Sequence, residues 1–146
     1  MFFRPMARAF LRGAGVLLIV LGLAHLAATP HIPQLLSGSP PLVYNHAVGP
    51  TLLNHVLVGI LLLPMGFTVF FASAAACRGE PVTRRILLVN AVALLALPVC
   101  IVTFMRRPEY YTAPLFLLGT LLVAAISLLT LAATLALFFG KDAVDL

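Results

Sequence analysis

Charged residues are scarce in this sequence, and this scarcity limits the classes of protein to which it can belong. Only 9% of its 146 residues are charged, whereas a soluble domain has about 25%. Too few polar side chains remain to cover a soluble fold, which excludes a soluble enzyme, a nucleic-acid-binding domain and a disordered chain. The hydrophobic fraction of 62% instead predicts an integral membrane protein in a lipid bilayer.

Tryptophan is absent and cysteine occurs only twice. Any aromatic belt at the membrane surface must therefore come from tyrosine and phenylalanine. Cys77 and Cys100 are expected at different depths, so no disulfide or C-x-x-C chemistry is predicted. Apart from Arg12 near the start of the first, the predicted spans contain no Asp, Glu, Lys or Arg. This argues against a proton-coupled transporter, because such proteins usually carry a membrane-embedded carboxylate.

The few charged residues and the prolines divide the chain into apolar segments. These segments lack the alternation of barrel strands, and each is long enough for a membrane helix of about 20 residues. The prolines concentrated in 29–50 predict an external loop through which no helix runs. We therefore predict a single membrane domain over 1–146, an all-α bundle of four transmembrane helices at about 10–28, 51–77, 86–105 and 114–139.

The basic residues predict the orientation of this bundle. Seven of the nine lie in the N-terminal tail, the 78–85 loop and the C-terminal tail, and two, Arg106 and Arg107, lie on the other side. The excess predicts that both termini are cytoplasmic, an N-in/C-in topology. Arginine outnumbers lysine eight to one, a bias that points to a GC-rich bacterial genome and hence to the bacterial inner membrane.

Two stripes of small residues predict where the first two membrane helices touch. Glycines let helix backbones approach closely in lipid, so the two stripes should face each other. Each stripe also contains a histidine, which would then turn into the bundle. The stripes consist of Gly15, Leu18, Gly22 and His25 on the first helix and His55, Gly59, Leu62 and Gly66 on the second.

The histidines are the candidate site residues. His25 and His55 should lie at matching depth on antiparallel helices, close enough for two imidazole nitrogens roughly 4–5 Å apart to bridge one haem iron or metal ion. Such a pair could ligate a b-type haem, with Arg106 and Arg107 neutralising its propionates, or could bind copper or zinc together with His31 or His46. Alternatively, the histidines only donate hydrogen bonds across helices, or one of them is catalytic.

The remaining polar residues in the spans are interpreted as packing groups. Asn90 is expected to hydrogen-bond across helices. Pro64 and Pro98 should each free a carbonyl one turn earlier and kink their helices. The fourth helix carries hydroxyl residues that can bond to the carbonyl one turn back, at Thr120, Ser127, Thr130 and Thr134.

No motif in the sequence identifies an enzyme, so a catalytic activity is not predicted. We interpret the chain as a non-catalytic subunit or assembly partner of a larger membrane complex, associating with other membrane proteins or with itself and not with nucleic acid. The first alternative is a haem- or metal-binding redox protein that uses the outer histidines. The second is a small transporter of an uncharged or lipophilic solute.

The predicted orientation can be tested by cysteine labelling. With Cys77 and Cys100 replaced by alanine, Ser39→Cys should react from outside intact cells, because it lies in the segment without basic residues. Thr83→Cys, in the arginine-rich loop, should react only after the membrane is permeabilised. The reverse pattern would contradict the orientation.

Overall fold

The computed structural model describes residues 3–105, 112 and 114–139, and their structure is almost entirely helical, with no strand among them. Four helical segments are long and apolar enough to cross a membrane. The predicted all-α bundle of four membrane helices is therefore confirmed. A 3₁₀ turn at Thr29–His31 links the first two of the five α-helices, which are α1 (Phe3–Ala28), α2 (Ile32–Leu36), α3 (Pro41–Cys77), α4 (Pro81–Phe104) and α5 (Pro114–Phe139).

The four long helices form a closed ring. Helix α1 packs against α3 and α5, and α4 packs against the same two helices, while the diagonal pairs contact each other only weakly. Successive helices run in opposite directions across the bundle. Each long helix therefore has two neighbours and one face left for the surrounding lipid.

Buried positions recur every seven residues along the helices. This heptad spacing keeps one stripe of each helix turned toward its neighbours, as in antiparallel bundles with a left-handed twist. The seven-residue spacing is found both for buried apolar residues and for buried residues that carry a hydroxyl group. The fully or nearly fully buried residues in these stripes include Leu11 and Leu18, Leu62 and Val69, Leu87 and Leu94, and Ser127 and Thr134.

The proline-rich segment 29–50 differs from its prediction. It is largely helical, and the chain leaves helical geometry only between α2 and α3. The prolines that were expected to prevent a helix mostly lie in first turns, where Pro33 is the second residue of α2 and Pro41 is the first residue of α3. A first-turn residue has no helical partner for its N–H group, so proline is accepted there without loss of a hydrogen bond.

Helix α3 begins ten residues before the predicted start of its span and passes through Pro50. Pro50 cannot donate to the carbonyl of His46, but His46 is exposed, so water can solvate that carbonyl. With 37 residues, α3 is about 55 Å long, against about 30 Å for the hydrocarbon core. Helix α3 is therefore longer than an untilted span requires.

The connection between α3 and α4 is a tight Schellman turn. Gly79 has a φ of 96°, a left-handed conformation that favours glycine. Its N–H donates to the Ala76 carbonyl at 3.1 Å, and the N–H of Glu80 donates to Ala75 at 3.2 Å. The Arg84 side chain donates to Ala76 as well, at 3.1 Å. These bonds satisfy the last carbonyls of α3 and reverse the chain in three residues.

The predicted glycine contact between α1 and α3 is confirmed. A Cβ atom added at Gly15 would lie 2.8 Å from the Gly66 carbonyl oxygen, and one added at Gly22 would lie 2.9 Å from the Gly59 carbonyl oxygen. The two backbones thus touch at two levels, seven residues apart on each helix. Any side chain at these glycines would hold the helices apart.

Alanine substitutions at the glycines test this contact. Gly15→Ala should lower the free energy of unfolding in detergent by about 1–3 kcal/mol, because the new methyl group meets backbone atoms that cannot move without separating the helices.

Gly13→Ala is the matched control on the same helix. A Cβ at Gly13 meets nothing within 4 Å, so this variant should be neutral or more stable by up to about 1 kcal/mol through its higher helix propensity. Equal losses in the two variants would exclude a backbone contact at Gly15.

Polar side chains join the other helices. The Asn90 amide of α4 donates to the Met65 carbonyl of α3 at 3.0 Å, as predicted. The Ser127 hydroxyl of α5 has two acceptors in reach, the Val123 carbonyl of its own helix at 2.8 Å and the Leu94 carbonyl of α4 at 3.1 Å. Leu94 is the residue whose carbonyl loses its usual helical donor, because Pro98 has no N–H. Ser127 therefore shares its one proton between its own helix and the carbonyl that lacks a donor in α4.

The other hydroxyls of α5 remain within their own helix. Thr120, Thr130 and Thr134 each donate to the carbonyl four residues earlier, at 2.7–2.9 Å. Their polar groups are thereby satisfied without a partner on another helix. These contacts agree with the interpretation of the hydroxyl residues of the fourth helix as packing groups.

The bond between Ser127 and Leu94 predicts an interaction with Pro98. Ser127→Ala should destabilise the protein by about 1–2 kcal/mol, because it leaves a buried carbonyl without a donor. In a Pro98→Ala background, the restored N–H of residue 98 can bond to the Leu94 carbonyl. There, Ser127→Ala should lower the free energy of unfolding by clearly less. Thr134→Val, which removes only an intrahelical bond, should also cost less. Equal costs of Ser127→Ala in both backgrounds would refute this coupling.

Candidate functional site

His25 lies in the last turn of α1, one turn beyond Gly22. Its Nδ1 atom is 3.0 Å from the carbonyl oxygen of Leu21. Because a carbonyl only accepts hydrogen bonds, Nδ1 must carry the proton. The neutral ring then has its lone pair on Nε2. The hydrogen bond therefore fixes both the tautomer and the orientation of the His25 ring.

His55 lies well inside α3, one turn before Gly59. The ring is half-buried, and its Nδ1 atom is fully buried without a hydrogen-bond partner. The Thr51 carbonyl one turn earlier is a hydrogen-bond acceptor near the ring, although it does not reach the geometry of a full hydrogen bond with Nδ1. Among the buried side-chain nitrogens and oxygens that the structure describes, this nitrogen is the unsatisfied one.

The two histidines lie side by side. Their ring centroids are 5.3 Å apart and their planes are tilted by 37°. The contact between Gly22 and Gly59 brings the helix axes close one turn away, and the antiparallel direction places both rings at the same depth. The predicted convergence of His25 and His55 at matching depth is thus confirmed. The structure gives no hydrogen bond between these two rings.

His31 and His46 are placed differently. His31 is exposed at the end of the 3₁₀ turn, and His46 is exposed near the start of α3. Within the described part of the chain, no three His, Cys, Asp or Glu side chains converge as a metal site. The structure therefore brings together the pair from the helices and does not add the other two histidines to it.

The remaining predicted site residues, Arg106 and Arg107, lie outside the described residues, and their role toward haem propionates stays a prediction. Cys77 and Cys100 are both free thiols, in agreement with the expected absence of a disulfide. Cys77 donates weakly to the Arg4 carbonyl at 3.6 Å, which ties α3 to the beginning of α1.

A second candidate surface was not predicted from the sequence. An apolar cavity of about 300 Å³ opens between the first turns of α1 and the last turns of α5. The only sequence signal that could have indicated it is the repetition of alanine in α5, which marks close helix approach in membranes. The cavity, called the α1–α5 groove below, is lined by Met6, Ala7, Phe10, Leu129, Ala132, Ala133 and Ala136.

Comparison with models of protein families, with curated proteins and with solved structures finds no match for this chain. Its class therefore rests on its own fold. Four long apolar helices packed as a closed bundle define a multi-pass membrane protein. Two features distinguish it within that class, the paired histidines at one end of the bundle and the α1–α5 groove at the other.

Proposed function

We propose that this chain is a non-catalytic subunit or assembly partner of a larger membrane complex. The polar groups of the bundle core are occupied by internal hydrogen bonds, between helices at Asn90 and Ser127 and within α5 at its threonines. A function that depends on contact with another molecule is then carried by the outer surface or by the ends of the bundle.

The observation that carries this proposal is the α1–α5 groove. Ala132 and Ala136 lie one turn apart on its α5 side, and Met6 and Phe10, each more than half exposed, flank it on α1. Small residues four positions apart are the pattern that lets a further helix approach a membrane helix closely. None of the lining residues is polar.

A helix of another membrane protein fits this groove better than disordered lipid chains. In a bilayer, helices gain little from hydrophobic burial, so association depends on close van der Waals packing. The depression between two helices, with alanines along one side, receives the ridge of side chains on a third helix. We therefore assign the partner to the class of apolar membrane helices.

Filling the groove tests this proposal. The full chain, purified from native membranes in mild detergent, should elute as a complex containing a second membrane protein. Ala132→Leu should release that partner, because the larger side chain occupies the groove.

Ala96→Leu provides the matched control, since Ala96 is an exposed alanine on α4, away from the groove. It should leave the complex intact. A monomeric wild-type chain, or a complex that survives Ala132→Leu, would contradict the proposal. A complex containing only copies of this chain would indicate self-association instead of a different partner.

The second candidate function is binding of haem or a metal ion by the outer histidines. It is favoured by a specific observation, the 5.3 Å approach of His25 and His55 with an unpartnered ring nitrogen between packed helices. The third interpretation, transport of a lipophilic solute, requires a passage between the helices. The α1–α5 groove lies at the surface of one end of the bundle, so it does not favour transport.

A further inference from the structure

We propose that His25 and His55 together bind one zinc or copper ion in a bent geometry, with solvent completing its coordination. This inference rests on the second candidate function and makes it specific, because it selects a bare metal ion over haem. It does not depend on the partner proposed for the α1–α5 groove.

The two rings offer lone pairs suited to a metal. In metal sites, the ligating histidine typically donates its other N–H to a carboxylate or a backbone carbonyl, which fixes the tautomer. The bond from His25 Nδ1 to the Leu21 carbonyl is such an interaction and leaves Nε2 as the donor atom. The His55 ring likewise faces the Thr51 carbonyl of its own helix, and its Nδ1 atom is closed to solvent. Its accessible donor atom is therefore also Nε2, as in His25.

The separation of the rings favours a bent arrangement. A metal–imidazole bond of about 2.0–2.1 Å places the ring centre about 3.2 Å from the ion. Ring centroids 5.3 Å apart then correspond to an angle of about 110° at the ion, as in tetrahedral coordination. The two axial ligands of a haem lie opposite each other, which would place the ring centres about 6.4 Å apart.

The surrounding backbone also disfavours haem at this position. The macrocycle would have to extend sideways between the two rings, and α1 and α3 are in backbone contact at Gly22 and Gly59 only one turn away. Space for a flat macrocycle would require these helices to separate. A single ion requires only small adjustments of the two side chains.

The donor set indicates which ions are suitable. Imidazole nitrogens suit zinc and copper, whereas magnesium and calcium prefer oxygen ligands. No third His, Cys, Asp or Glu among the described residues joins the pair, so at least one coordination position remains for water. Both rings are only partly buried and His25 lies in the last turn of α1, so water can reach an ion there. We expect weaker binding than at structural zinc sites with four protein ligands.

The test is a metal titration of the full-length protein in detergent, after removal of bound metal with a chelator. Zn²⁺ and Cu⁺ are titrated separately, in competition with a chromophoric chelator. Co²⁺ serves as a spectroscopic probe, because its visible absorption reports tetrahedral coordination. The expected result is one ion per chain and a tetrahedral Co²⁺ spectrum.

The paired histidines are replaced by glutamine, which keeps a polar side chain of similar length. His25→Gln and His55→Gln should each weaken binding at least tenfold, and thermal unfolding of both variants verifies that they remain folded. His31→Gln and His46→Gln, at the exposed histidines, should leave the affinity unchanged.

Three results would overturn the inference. The first is a folded wild-type protein that binds no ion stoichiometrically, and the second is binding that is lost in the His31 or His46 variants but not in the paired ones. The third comes from a parallel titration with haem. A Soret band that depends on both His25 and His55 would refute the bare-ion site while supporting the second candidate function in its haem form. If neither an ion nor haem binds, that candidate function fails as well.

Discussion

The backbone contact between α1 and α3 is the interaction on which the rest of the structure depends. In lipid, an apolar side chain gains little when it exchanges contacts with acyl chains for contacts with another helix. Helices therefore associate where their surfaces fit closely. Gly15 and Gly22 provide that fit against Gly66 and Gly59. The same approach places His25 and His55 side by side. The geometry of the candidate site is thus a product of helix packing.

A second constraint is the lack of water in the membrane interior. Every polar group there needs a partner within the protein, and the bundle provides one in different ways. Asn90 reaches a carbonyl on the neighbouring helix, the threonines of α5 reach back one turn, and Ser127 serves the carbonyl that Pro98 leaves without its donor. Against this background, the unpartnered nitrogen of His55 is an exception among the described residues, and exceptions of this kind commonly mark functional sites.

Much of this architecture follows from the sequence, because lipid imposes simple rules. The lengths of the apolar segments predicted four spans, the glycine spacing predicted the α1–α3 interface, and that interface predicted the histidine pair. The helical content of segment 29–50 was not predicted, because most of its prolines lie in first turns, where they cost no hydrogen bond, and α3 accommodates Pro50 in its interior. The α1–α5 groove was missed because its lining comes from helices at opposite ends of the sequence. The repeated alanines of α5 indicate that a helix approaches closely but not which one, and the bent angle at the histidines likewise requires coordinates.

The ring of helix contacts also bears on how the protein is made. Helix α1 is synthesised before the other helices of the bundle, and α5, which is synthesised after them, is one of its two neighbours. The bundle therefore stays open along one side of α1 until α5 has been made. The histidine pair belongs to α1 and α3 and can assemble while the second half of the chain is still being translated. The two ends of the bundle consequently form one after the other. The histidine pair can form as soon as α3 packs against α1, whereas the alanine-lined groove forms only after α5 has joined them.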